Sequence, residues 1–480
     1  MRRRLLAVVP LLLLALPLLA PRAARAWDPA TTHSGLTERA VSASKLHATL
    51  VQQLGRPLGG FEPLRLEASA LDRDTARLLQ ARLARFDPAG GYQPGPDGIA
   101  LAAAWVRAGA VLEKTPPERG RHHFFEPRRR SGLDDAPGLA GTWYATRLTL
   151  DGGATARETA TGSTGALAGM PALAWVWSPD NDLGLPRFFE HWAGAVSGQR
   201  AVDRDNELVR ALLALGGTLA VLQDMGQPAF VRNDFRGDLL ASDAGSAYER
   251  FVADRYGGVA LPPAAAPLAR PDVDSYFVAA DERGLAQRTQ AAFFSAGTLP
   301  ADVRLVAGEP PTDLERLVNQ RLPFPSPEVR GLDVRAGATT RYLVRDGVRV
   351  LAYQRHGERL HFFLDQAVYA DCARYWLPVV ESYAAGLVDH LLRARLALAL
   401  EGGQVSLTLS GVAGRLEPGT RVQVFAEDGT GARKQVSQLG IQPDTALTFS
   451  VPAGARKLAA YVRGQDAGGP FVAVGEISVP

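Results

Sequence analysis

"NELVRALLALGGTLAVLQDMGQPAFVRNDF", residues 206–235, decides how the rest of the chain is read. Its first twenty residues are apolar almost all round. That predicts a helix buried on every side, not one lying half in solvent. The helix ends in Asp224. A Gly-Gln-Pro turn follows, and then the charged and polar cluster Arg232, Asn233, Asp234. An aspartate at the mouth of a buried helix, backed by such a turn, reads as the wall of a metal site. No histidine stands beside it in this stretch.

Around this helix, the chain of 480 residues is long enough for two domains or more. With 46% hydrophobic, 21% charged and 8% aromatic residues it reads as globular. "MRRR", "LLAVVPLLLLALPLLA" and "ARA" form the n-, h- and c-regions of an export signal, residues 1–26. Cleavage after Ala26 makes Trp27 the first residue, and the expected location is secreted or periplasmic. No later stretch has the ~20 apolar residues that span a bilayer. The net charge of +3 includes five signal arginines and no signal acid, so the remainder carries −2. Without a basic excess, nucleic acid is not an expected partner. Cys372 stands alone and makes no internal disulfide.

The pattern outside the central helix is mostly helical. "SGLTERAVSASKLHATLVQQL" has helical spacing, with Ser34 and Thr37 as candidate caps. "DRDTARLLQARLARF", "GIALAAAWVRAGAVLE" and "AYERFVADRY" predict three more helices. A long apolar helix is expected over residues 363–400, kinked or divided at Pro378. "RYLVRDGVRVLAYQR" predicts a hairpin about Asp346-Gly347. After "EGG" at 401–403 the period changes to two, with six or seven short strands in the remainder. The expected fold class is therefore mainly α: a multi-helix domain over 27–400, then a small Ig-like β-sandwich over 402–480.

Four stretches occur in order: "ARAWDPATTH", "RAGAVLEKTPPERGRHHFFEP", "GGTLAVLQDMGQPAFVRNDF" and "GSAYERF". Together they resemble the bacterial zinc-dependent phospholipase C and P1 nuclease superfamily, over about residues 27–397. The resemblance implies a helical zinc-binding domain in which the mature N-terminal tryptophan, histidines and carboxylates hold clustered zinc ions. Carried over residue by residue, Trp27, His33, His123, Asp224 and Glu249 match ligand positions. Lys114 stands where an aspartate is expected. Ala220, Phe230 and Gly245 stand where histidines are expected. One ion keeps Trp27, His33 and Asp224. The second keeps His123 and a share of Asp224, and the third keeps Glu249 alone.

A catalytic zinc needs about three protein ligands and an open position. At most one zinc is therefore expected. Lys114 adds a positive charge at a vacated ion, able to balance Asp224 or a bound phosphate, and Phe230 fills an imidazole's space with an apolar ring. Glu113, one residue from the missing aspartate, is expected to point elsewhere, about 100° round the helix. The alternatives are structural. Asp224 pairs with Lys114 or Arg232, His123 is a hydrogen-bonded core histidine, and Glu249 pairs with a basic residue. Three functions follow: an exported phospholipase C-like protein impaired in hydrolysis and acting by binding, an active phosphodiesterase on phospholipid or another phosphate ester, or an envelope protein whose β module does the work.

Overall fold

The computed structural model describes residues 29–67, 69, 73–86, 98–114, 117–133, 169–234, 246–256, 266–304 and 340–480. Trp27, Gly245 and the signal segment lie outside the described residues. The helical part contains α1 (Ser34–Ala43), α2 (Leu46–Leu54), β1 (Pro63–Arg65), α3 (Arg73–Phe86), β2 (Ile99–Leu101) and α4 (Ala102–Leu112). It continues with α5 (Ala172–Trp177), α6 (Leu185–Ser197), α7 (Ala201–Asp224), α8 (Ala247–Arg255), α9 (Asp274–Phe277) and α10 (Leu285–Ala292). A four-stranded antiparallel sheet of β3 (Val303–Arg304), β4 (Arg341–Arg345), β5 (Val348–His356) and β6 (Arg359–Phe363) leads into α11 (Gln366–Leu391). No described helix is long and apolar enough to cross a membrane.

Helix α7 is the axis. From Ala211 to Asp224 every side chain is buried. It crosses α4 at glycines, because only a residue without a Cβ allows the two backbones to come so close. A Cβ on Gly216 would sit 1.9 Å from the Val106 carbonyl oxygen, and one on Gly109 would sit 2.0 Å from that of Leu213. This crossing brings the end of α4 beside the end of α7.

Three local expectations need correction. The first predicted helix is two, α1 and α2, parted at Ser44, which is extended (φ −90°, ψ 174°). The Ser44 hydroxyl donates to Val41 O, and Lys45 N donates to Asp389 Oδ1, so side chains replace the helical ladder there. Ser34 and Thr37 are not caps. Helix α1 continues from a π-helical turn, Pro29–His33, with no side-chain cap. Helix α11 carries Pro378 inside it and stops at Leu391. Residues 395–400, expected to be helical, belong to a strand. "RLALALE" alternates, and Gly402 and Gly403, at φ +56° and +78°, turn it back on the next strand. The predicted Asp346-Gly347 hairpin is present, with φ +49° and +81° at its turn.

The C-terminal region is therefore β from Arg395, not from beyond Gly403. Its strands are β7 (Arg395–Glu401), β8 (Gln404–Ser410), β9 (Arg421–Glu427), β10 (Arg433–Gly440), β11 (Leu447–Ser450), β12 (Lys457–Asp466) and β13 (Gly469–Ser478). They make two antiparallel sheets, ordered β11-β8-β7 and β10-β9-β12-β13. Leu396, Leu407 and Leu409 from the first and Val422, Val462 and Ala473 from the second form one buried cluster. Ala459, Val472 and Val474 belong to the other face of the larger sheet and join the helical core. An α region followed by a β region is thus what the chain builds, with the larger sheet apolar on both faces.

Candidate functional site

Asp224 ends α7, fully buried. Lys114 reaches it from the turn after α4. His123 reaches it from a 3-10 turn over Pro117–His123, and His33 from the π-helical turn before α1. The side chains of His33, His123 and Asp224 are inaccessible to solvent, and Lys114 is nearly so. The structure therefore brings together three of the expected ligand positions and the lysine that stands at a fourth.

The lysine takes the centre. Its ammonium donates to Asp224 Oδ2 in a very short contact and lies 2.7 Å from His123 Nδ1. His123 Nδ1 is itself 2.6 Å from the same carboxylate oxygen. Lys114 Nζ also lies 5.6 Å from the centre of the Phe230 ring, within cation–π range. Phe230 in turn stacks on Phe124, with centroids 4.3 Å apart. One expected histidine has thus become half of an aromatic pair that walls the ammonium. Ala220 is fully buried in α7, and its methyl group contributes no donor.

Burial alone would raise the Asp224 pKa. Lys114, His33 and His123 overcome this and hold it far below the ordinary carboxylate range. The result is a buried charge pair, in which each partner is costly without the other.

Glu113 stays helical at the end of α4 (φ −60°, ψ −19°), with its N–H donating to Gly109 O, and it reaches the cluster from the far side of His123 instead of beside Asp224. Glu113 Oε1 accepts from Trp175 Nε1 at 2.8 Å and lies 3.4 Å from His123 Nε2. Its Oε2 accepts from Arg119 Nη2 at 2.6 Å. Burial acts to raise its pKa, but Arg119 and His123 bring it down to about 2. Adjacent residues thus grip His123 from opposite ring nitrogens, Glu113 at Nε2 and Lys114 at Nδ1. His123 is a hydrogen-bonded core histidine.

The other half of the cluster is different. His33 Nδ1 meets Gln223 Oε1 at 2.7 Å, and Gln223 Nε2 donates to Thr37 Oγ1 at 2.9 Å. With the Gln223 oxygen facing the ring, Nδ1 carries the proton, because an amide oxygen only accepts. Burial lowers the His33 pKa and favours the neutral ring. Nε2 then presents a lone pair. It lies 3.2 Å from Asp224 Oδ1, and neither atom has a hydrogen-bond partner among the described residues. Two facing lone pairs at this distance call for a cation or a proton between them. Tetrahedral zinc with ligands at about 2.0–2.1 Å separates neighbouring donors by roughly 3.3 Å, so the pair fits an ion. The fixed amide of Gln223 is the kind of outer partner that orients a ligating histidine. Gln223 was visible beside Asp224 in the sequence, but its role was not.

Among the described residues Glu249 makes no ion pair with a basic residue. It caps its own helix: Ser246 N donates to its Oε2, and Gln227 Nε2 donates to its Oε1 at 2.9 Å. Burial raises its pKa to about 8. Arg232 is not the partner of Asp224. It donates to the carbonyls of Gln290 and Phe293. Asn233, in the left-handed region at φ +49°, donates to Gly132 O, and Asp234 accepts from Gly297 N. The Arg-Asn-Asp cluster holds a loop. Among the described residues no group of three or more His, Cys, Asp or Glu is arranged to hold a metal ion.

No protein-family model matches the chain, and no curated protein matches it. Among solved structures it is similar to the alpha toxin of Clostridium absonum, at 10% identity and a TM-score of 0.28, over 94% of this chain and 95% of that one. The alpha-toxin from an avian strain of Clostridium perfringens gives 9% identity and a TM-score of 0.27, over 95% and 100%. At these scores the site has to be read from its own residues. Those residues form a buried ammonium–carboxylate–imidazole core with one unsatisfied donor pair at its edge.

Proposed function

We propose that this chain is an exported, phospholipase C-like protein in which Lys114 has replaced the metal of the catalytic cluster, and that it acts by binding, not by hydrolysing phosphodiesters. The observation that carries the reading is the contact of Lys114 Nζ with both Asp224 Oδ2 and His123 Nδ1. Those two side chains match ligand positions of the resembled family, and an ammonium now bridges them where an ion would. Two-metal hydrolysis needs ions a few ångströms apart, to activate water and to stabilise the leaving oxygen. A fixed ammonium supplies charge but neither an open coordination position nor a bound hydroxide.

The facing lone pairs of His33 Nε2 and Asp224 Oδ1 support one retained cation, for which the resemblance implies Trp27 as a further ligand. Its chemistry when bound is that of a single Lewis acid. The test is zinc stoichiometry of the mature protein together with turnover of phosphatidylcholine and a p-nitrophenyl phosphodiester. At most one zinc and no turnover above the buffer rate are expected. Two or three tightly held zincs, with turnover abolished by Asp224→Asn, would restore the enzyme. The converse variant combines Lys114→Asp, Ala220→His, Phe230→His and Gly245→His, and is expected to gain zinc.

A further inference from the structure

Beside this cluster lies a cavity of about 180 Å³, formed by α8, the first turns of α11, β5 and the loop after α10. Its walls are Tyr248, Phe293, Val350, Val368, Tyr369 and Cys372. Its polar members sit in the same lining: Gln227, whose amide donates to Glu249, with Asp234, Ser246, Arg250 and Ser295. Three of these are already committed to backbone caps. Ser246 Oγ accepts from Glu249 N, Asp234 accepts from Gly297 N at 2.6 Å, and Ser295 Oγ bonds Thr298 Oγ1 at 2.8 Å. The Tyr248 hydroxyl is directed at the Cys372 thiol. What the cavity offers a guest is therefore mostly apolar surface.

We propose that this cavity takes the end of a medium-length alkyl chain belonging to an amphiphile. Its volume is a little above the ~150 Å³ apolar cavity that takes up benzene, so it has room for about six carbons. The cavity is only half enclosed. A chain end fills the inside and leaves its polar head at the opening. A free ring of the same volume would leave that opening unfilled. Dry apolar pockets with a few polar groups at one end are the usual form of small-ligand sites. The inference does not rest on the cation reading, because the cavity lining includes none of Lys114, Asp224, His33 and His123.

The alkyl chain has two sources, a free fatty acid or the acyl chain of a phospholipid, and the experiment separates them. The full mature protein is titrated calorimetrically with octanoate, with dihexanoylphosphatidylcholine below its micellar concentration, and with phosphocholine, each in EDTA. Saturable 1:1 binding of octanoate, of the phospholipid or of both is expected, with a negative heat-capacity change and no response to phosphocholine. Octanoate alone binding assigns the free acid, and the phospholipid alone binding assigns the lipid. Val368→Trp fills the interior and Ala247→Trp narrows the rim, and each is expected to weaken binding at least tenfold. Should Val368→Trp fail to fold, Ala247→Trp on the exposed first turn of α8 decides. No saturable binding of either chain would overturn the proposal. So would phosphocholine binding as tightly as the phospholipid, or unchanged affinity in the folded tryptophan variants.

Discussion

Lys114 neutralises Asp224 in a place water does not reach. Removing one partner of a buried pair leaves the other uncompensated, at a cost of about 3–5 kcal/mol. Lys114→Ala is therefore expected to lose stability of that order by urea denaturation in EDTA. Because the vacated space again faces Asp224 and His123, added zinc should recover part of the loss. Wild-type protein should gain less from zinc under the same conditions. An equal zinc response in both proteins would show that Lys114 does not occupy an ion's place. The sequence displayed the lysine and the missing histidines. It did not display that Glu113, at the helix end, reaches the cluster from the far side of His123 and holds its other nitrogen.

At the scale of elements, the α4–α7 crossing decides whether the cluster assembles. Gly216→Ala drives a methyl group into the Val106 carbonyl, and two packed backbones have no side chain that can move aside. The expected cost is above ~2 kcal/mol, within the range of strong overpacking. Gly347→Ala tests a different mechanism. A Cβ there meets nothing within 4 Å, and the strain comes only from φ +81°. A smaller loss, ~1 kcal/mol, is expected, with both glycine variants measured by urea denaturation. The strand β7 carries a third prediction. A fragment starting at Gln404 lacks β7 and with it Leu396 from the two-sheet core, so circular dichroism should show weakened strand signal. A fragment starting at Arg393 should recover it. Equal spectra would mean that β7 is dispensable. The sequence hid this strand because "RLALALE" follows a long helix without a break, and its alternation is only seven residues long.

Over the whole molecule, buried arginines tie the β region to the helices. Arg433 donates to the Val196 carbonyl at the end of α6, and pairs with Glu427 and Glu476. Arg204 of α7 reaches Glu427 at 3.0 Å. At the other end, Arg393 binds Asp466, which also accepts from Ala413 N and Gly468 N. Burial acts to raise the Asp466 pKa, but the Arg393 hydrogen bond and these amides bring it below its ordinary value. A carboxylate with a depressed folded pKa contributes stability that is present above its unfolded pKa, near 4, and is lost as pH falls through the folded value. Unfolding followed by a β-region probe should therefore show an acid-induced loss below about pH 4. Asp466→Asn is expected to lower stability at pH 7 and to flatten that part of the profile. A profile identical to wild type would remove Asp466 from the interface account.

The sequence alone determined the elements with strong local signals. These were the all-apolar helix α7, the Asp346-Gly347 hairpin, the period-two run after Gly403, and the four ordered stretches that point to His33, His123, Asp224 and Glu249. Each rests on neighbouring residues or on fixed motif order, which a linear reading can count. Tertiary structure alone decided what those residues do. The α4–α7 crossing put an ammonium against both Asp224 and His123, which also touch each other. Gln223 fixed the proton on His33 Nδ1 and left a lone pair on Nε2. Each outcome depends on a contact across a hundred residues or more. A buried charge takes its partner from whatever the fold brings within reach, and sequence spacing does not record that.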